Sequence, residues 1–383
     1  MTAASVVGIG QTEFSKNAGR SETQLAAEAI IAALHDAGLT TDDVDGLVSY
    51  TIDPVEETEL VRALGIPTIS WSSRVPYGGA GSQGVLQHAS AAVALGAARV
   101  VVVYRACKAR TGARFGRPAV NRAATSAHTG TTAMQWAMPY GILTPAAWMS
   151  LNSTRYMHTY GVTSADFGRA VVQLRDYAAT NPAAHFYGRP ITLDDHQNSR
   201  WIAEPAIRLF DCCQETDGAV ALVVTSADRA ADTQAPVDIA AVGSAAIFEE
   251  EVASNHYRPD LTRMDETVTL AEQLFDATGI TRDDIDVALI YDAFTPMLFM
   301  QLEALGFCKP GEAKDFVADG AFGPTGSLPC NPNGGLIGEG YIHGLNLTVE
   351  AVRQLRGTAA NQISGARTAL VSASRTGVVL RAR

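Results

Sequence analysis

Lysine is nearly missing from this chain of 383 residues: Lys16, Lys108, Lys309 and Lys314 are all there is. Chemistry that forms an imine on a desolvated lysine therefore has few candidates, and none of the four falls in a motif expected to face a site. Cysteine is sparse as well: Cys107, Cys212, Cys213, Cys308 and Cys330 are odd in number, scattered, and without a C-x-x-C pair. That pattern argues against a disulfide framework and a structural zinc, and the adjacent Cys212 and Cys213 read as packed core. The eight histidines show no ligand spacing, so no metal is expected. No long apolar window exists and no basic segment precedes the first strand, which points to the cytoplasm rather than export or a membrane. A net charge of −11 repels polyanions, so nucleic acid is not an expected partner.

Acidic residues are absent over one stretch. Between Arg105 and Asp166 there is none, whereas Arg105, Lys108, Arg110, Arg114, Arg117, Arg122 and Arg155 are all basic. Rich in Gly, Pro and Thr, this part reads as an irregular insertion, roughly residues 106–204. Its arginines are either solvated and contact-making, or a landing site for phosphate oxygens, which guanidinium forks match.

What is present in quantity is self-similarity. Thr41-Asp42-Asp43-Val44-Asp45-Gly46-Leu47-Val48-Ser49-Tyr50 is echoed by Thr281-Arg282-Asp283-Asp284-Ile285-Asp286-Val287-Ala288-Leu289-Ile290-Tyr291, each after an amphipathic helix closed by glycine. A helix, an acidic turn and a short apolar strand of the parallel-sheet kind thus occur twice. The expected architecture is α/β: two duplicated βαβαβ halves in a layered arrangement, residues 1–230 with the insertion and residues 231–383. Catalysis is expected where the strand ends of the two halves meet.

Three motifs are site-like. Gly79-Ala80-Gly81-Ser82-Gln83-Gly84 matches G-x-G-x-x-G between a strand and a helix, but Tyr104-Arg105 stands where a dinucleotide fold needs an acidic residue. It is taken as a tight turn whose backbone N–H groups could hold a carbonyl oxygen or another anion. Tyr291-Asp292-Ala293-Phe294-Thr295-Pro296 leads from a strand end into a helix. Asn331 to Gly344 is glycine-dense and enters a helix expected over 340–355, with Tyr341 and His343 near its start, His343 as a helix-face residue.

These motifs, with the Asp211-Cys212-Cys213-Gln214-Glu215-Thr216-Asp217-Gly218-Ala219 passage and the Asn331-Pro332-Asn333-Gly334-Gly335 loop, resemble the thiolase superfamily, nearest to its sterol-carrier or lipid-transfer-protein branch. The chain departs from working thiolases at every catalytic motif. The nucleophile position falls on Gly78-Gly79-Ala80, the N/H-E-A-F position reads Tyr291-Asp292-Ala293-Phe294, the G-H-P position reads Gly340-Tyr341-Ile342, and Leu370 to Ser374 lacks a thiol. A Claisen-type acyl-enzyme has no nucleophile here.

In that pattern the chain is similar to thiolase-like steroid side-chain-cleaving aldolases of actinobacteria. The resemblance implies retro-aldol cleavage of a β-hydroxyacyl-CoA steroid thioester, such as a 17-hydroxy C22 steroid-CoA, to a ketosteroid and propionyl-CoA. It implies a homodimer, a zinc-ribbon/OB-fold partner of the DUF35 type, and no cofactor, CoA being part of the substrate. Phenols are then the remaining acid/base groups: Tyr291 and Tyr341 as the pair, Asp292 and His343 in support, backbone N–H groups at Gly79 or Ala373 for the enolate oxygen, and Arg110, Arg114 and Arg117 for CoA phosphates. Free tyrosine titrates near 10, so the base must have a depressed pKa or act by concerted transfer; which of the two is base stays open. The alternatives are an inactive thiolase-like scaffold that presents acyl-CoA to a partner, and an NAD(P)-linked oxidoreductase using the Gly79 turn.

Overall fold

The computed structural model describes residues 4–76, 78–112, 114, 116, 137–248 and 258–383. Strands β1 (Ala4–Gln11), β2 (Gly46–Tyr50), β3 (Trp71–Val75), β4 (Val100–Lys108), β7 (Asp217–Ser226), β8 (Val237–Ser244), β9 (Val287–Ile290), β10 (Thr368–Ser372) and β11 (Thr376–Ala382) form one nine-stranded sheet. A two-stranded ribbon, β5 (Trp201–Ala203) with β6 (Ile207–Arg208), lies apart from it. The order β3-β2-β4-β7-β1-β8-β11-β10-β9 runs outward in the same sense from a central seam, so β8, β9, β10 and β11 repeat β1, β2, β4 and β7. The seam is the antiparallel pairing of Ser5 with Asp238 and Val6 with Val237. The duplication read from the two acidic turns is thus a duplicated fold.

Local chemistry builds each copy. The helix Glu22–Ala37 opens on Ser21, whose side chain accepts the Gln24 N–H, and ends on Gly38 in the left-handed region. Its buried stripe, Leu25, Ala29, Ile30, Ala33 and Leu34, lies against β1. Gly8 and Gly10 make that approach possible: a Cβ on either would sit 2.1 Å from a helix carbonyl oxygen. Strand side chains alternate between layers. In β4, Val101 and Val103 join the inner cluster with the helices Gly84–Ala94 and Leu345–Arg356, whereas Val100, Val102 and Tyr104 join the outer cluster with Glu22–Ala37. In β9, Val287 and Leu289 face inward and Ala288 and Ile290 outward. Tyr291 continues the inward set.

The insertion between β4 and β7 is not the irregular stretch the composition suggests. Pro145–Tyr160 and Ser164–Thr180 are helices, capped by Thr144 and Thr163. Proline at the first turn and a Thr163/Asp166 capping box explain both starts, signals masked by the glycine and polar content around them. Among the described residues no helix is long and apolar enough to cross a membrane.

Candidate active site

Four strand ends converge on the inner layer: β2 with Tyr50, β4 with Arg105 and Cys107, β9 with Tyr291, and β10 with Ala373. The loop before the helix Leu345–Arg356 brings Tyr341 into the same space. The Tyr291 and Tyr341 hydroxyls are 2.8 Å apart, the rings edge to face with centroids 6.4 Å apart. Both phenols are buried. Their backbones are fixed from two sides, the Tyr291 N–H donating to Ser372 and the Tyr341 N–H to the Thr216 hydroxyl.

Position 79 explains how Tyr291 fits. A Cβ built there would lie 1.9 Å from the Tyr291 hydroxyl oxygen. The phenol thus fills the space a side chain at position 79 would occupy, and the same ring blocks the Gly79 turn as a cradle for a dinucleotide phosphate. Gly344, at φ +82°, also packs on the ring, a Cβ there falling 2.8 Å from it.

Burial pushes both phenols well above their ordinary range, with added repulsion from Cys213 at Tyr291 and from Tyr291 itself at Tyr341. Burial therefore disfavours a resident phenolate, and of the two ways a phenol could act as base it favours concerted transfer.

The supporting residues differ from expectation. Asp292 does not orient Tyr291 and makes no salt bridge among the described residues. Its carboxylate accepts the N–H groups of Leu336 and Ile337, at 2.8 and 3.4 Å, and so caps the short turn Gly335–Gly338. Side chains of neighbouring residues at a strand end leave on opposite sides, so only one of the two can face the inner site. Burial pushes Asp292 up to about 7 despite these donors. His343 is not on a helix face: its φ of +51° and the +82° of Gly344 cannot be helical, and the helix starts only at Leu345. It is buried, edge to face with Tyr341 at 5.1 Å, and its Nδ1 accepts the Arg105 Nε–H at 2.9 Å. The Ala373 N–H is occupied, donating to the Thr376 carbonyl at 2.8 Å, and is no donor to an enolate. Gly79 remains adjacent to the phenols.

Of the three arginines assigned to phosphates, Arg114 is ion-paired with Glu215 at 2.7 Å, Arg110 is exposed, and Arg117 lies outside the described residues. Lys16, passed over in the sequence, donates to Gln214 Oε1 at 3.0 Å and to the Glu215 carbonyl at 2.8 Å, beside the segment that bridges to Tyr341. Burial, then Arg110, lowers it to about 8. Its distance in sequence from every motif concealed it. Arg105, although it belongs to the basic run, is buried and paired with Asp53 at 2.8 Å. The period-two pattern Val101, Val103, Arg105 on a strand was the signal that could have placed it inside.

Residues 249–382 match the thiolase C-terminal domain-like family. The chain is 50% identical over 376 residues, 98% of it and 97% of its relative, to a 17-hydroxy-3-oxo-4-pregnene-20-carboxyl-CoA lyase of Mycobacterium tuberculosis. Against a steroid side-chain-cleaving aldolase of Thermomonospora curvata the identity is again 50%, covering 98% of this chain and 96% of the other. The solved structure of an Ltp2-ChsH2(DUF35) aldolase superposes with a TM-score of 0.94 at 47% identity, covering 100% and 98% of the two chains. This chain belongs to the thiolase superfamily. Within it, the chain groups with the steroid side-chain-cleaving aldolases and is a carbon–carbon lyase. This thiolase-like aldolase thus has two buried phenols in contact beside the Gly79 turn.

Proposed function

We propose that this enzyme cleaves a β-hydroxyacyl-CoA thioester of a steroid, such as a 17-hydroxy C22 steroid-CoA, into a ketosteroid and propionyl-CoA, with Tyr291 and Tyr341 as its acid/base pair. The observation that carries this reading is the 2.8 Å contact between two buried phenol hydroxyls at the meeting of the two halves. One phenol oxygen takes the β-hydroxyl proton as the bond between the α and β carbons breaks. The β carbon becomes the ketone, the electron pair passes to the thioester enolate, and a proton delivered to the α carbon completes the acyl-CoA. Because the hydroxyls touch, a proton accepted by one can be supplied by the other without water. The Gly79 turn is the candidate backbone donor for the enolate oxygen. The nearness of Arg110 and Arg114 to Lys16 supports this basic group as the seat of the CoA phosphates, a role the sequence also assigns to Arg117. The enzyme works as a homodimer with a DUF35-type partner in the cytoplasm, where its free cysteines suit a reducing milieu.

Tyr291→Phe and Tyr341→Phe delete the proton and keep the ring. Each should lower turnover of the steroid-CoA by about 10²-fold or more, with the fold intact by circular dichroism. Wild-type turnover in both variants would remove the pair from the mechanism, and absence of turnover in every preparation, partner included, would favour the inactive scaffold.

A further inference from the structure

Behind Tyr341 a line of buried polar groups crosses from one half to the other. Asp53 follows β2 and its side chain is wholly buried; Arg105 lies on the inward set of β4 and is equally inaccessible. Arg105 Nη1 donates to Asp53 Oδ2 at 2.8 Å and to the Ala106 carbonyl, and the Ala106 N–H adds a second bond to the same carboxylate oxygen at 3.2 Å. Arg105 Nε then reaches across to His343 Nδ1 at 2.9 Å, and the His343 ring stands against Tyr341 at 74°.

The chemistry of this line has one solution. A guanidinium can only donate, so His343 Nδ1 must be the acceptor and its proton resides on Nε2. Burial, and then the Arg105 charge, hold the imidazole neutral by driving its pKa well below the usual histidine range. A buried ion pair is a costly way to stabilise a fold, since similar volume in apolar side chains would serve at least as well. A pair that fixes the tautomer and angle of a ring packed on a reactive phenol has a use that apolar side chains lack.

We propose that Arg105, anchored by Asp53 and acting through His343, is a positioning residue that sets the Tyr341 ring so that its hydroxyl meets Tyr291. The inference rests on the tyrosine pair proposed above. It accounts for an arginine at position 105, where a dinucleotide fold needs an acidic residue, and for a histidine held at φ +51° with its ring bonded to Arg105.

The test is a cycle on the full chain, with its partner, assayed with the steroid-CoA. Asp53→Asn with Arg105→Met removes both charges together, so neither is left buried alone. His343→Ala breaks the line at its other end. Each should lower kcat by between about 10- and 100-fold with KM unchanged, because a misplaced phenol affects chemistry and not binding. Joining His343→Ala to the double variant should cost nothing further, whereas independent structural defects would multiply. His343→Asn, which tolerates the left-handed backbone and offers Oδ1 to Arg105, should recover part of the kcat lost in His343→Ala. Multiplying losses, a rise in KM alone, or wild-type kcat in the Arg105 and His343 variants would overturn the proposal. Tyr291→Phe and Tyr341→Phe run in parallel: if they are impaired while the Arg105 variants are not, only this inference falls, and if they too are unimpaired, the tyrosine reading falls with it.

Discussion

Position 79 shows how one missing side chain determines what the site can be. A nucleophile there and a phenol at 291 exclude one another, because their atoms would overlap within 1.9 Å. Gly79→Ala is therefore not a conservative change. The methyl group would meet the Tyr291 hydroxyl and ring rather than a flexible side-chain end, and the ring has Gly344 at its back. Tyr291 must rotate or shift, and its 2.8 Å contact with Tyr341 is lost. Turnover should fall by about 10²-fold, comparable to Tyr291→Phe, while the melting temperature changes by only a few degrees. Activity retained in Gly79→Ala, or a crystal structure with the two hydroxyls still in contact, would show that the site does not depend on this fit.

At the scale of elements, Asp292 does the work of a cap. The loop Asn331 to Gly344 folds back on the end of β9 because the Asp292 carboxylate gathers the first N–H groups of Gly335–Gly338, and Gly335, at φ +64°, leaves room for it. A Cβ at Gly335 would fall 2.1 Å from the carboxylate. Since burial raises this carboxyl to about 7 from an unfolded value near 4, the folded chain binds a proton here that the unfolded chain releases between those limits. The contribution of Asp292 to stability is therefore largest at low pH and falls as pH rises through that window. Relative to Asp292→Asn, which cannot ionise, the wild type should lose stability from about pH 4 to pH 7 in denaturant titrations; a constant difference would show that the group titrates normally. The acidic turns, glycine-closed helices and strand alternation made the duplicated halves legible, because period and capping are local properties. Tyr291 and Tyr341 were legible as replacements within motifs. Asp53, Lys16 and the true orientations of Asp292 and His343 were not, because each depends on which loop the fold lays against it, and no spacing encodes that.

For the whole molecule, duplication put a tyrosine at the end of β2 as well as at the end of β9, and the copies have diverged. Tyr50 donates to the Ser82 carbonyl at 2.8 Å and braces the Gly79 turn, whereas Tyr291 is left to the phenol pair. The tyrosine of one copy braces the turn against which the tyrosine of the other packs. On the proposed acyl-CoA substrate, a chain of net charge −11 must offer the polyanionic CoA end a locally basic surface. Burial first, and then the charges of Arg110 and Arg114, lowers Lys16 to about 8, while Arg114 pairs with Glu215. Phosphates bound there would relieve the repulsion and raise the lysine. Near pH 8 binding of CoA should then take up protons, whereas near pH 6.5, where Lys16 is already charged, it should not; calorimetry in buffers of different ionisation heat reads the difference. A lysine this low is also the one candidate for an imine, so borohydride with substrate should leave Lys16 unmodified if the phenols carry the chemistry, and a substrate adduct on it by mass spectrometry would overturn them. Replacing Arg110, Arg114 and Arg117 together by serine should weaken CoA binding and flatten its salt dependence, at about 1.5 to 3 kcal/mol for each well-formed contact and less where solvent screens it. Turnover at saturation should barely change, because these groups hold a part of the substrate remote from the bond that breaks. Unchanged KM with altered assembly on size exclusion would instead assign the three arginines to subunit or partner contacts.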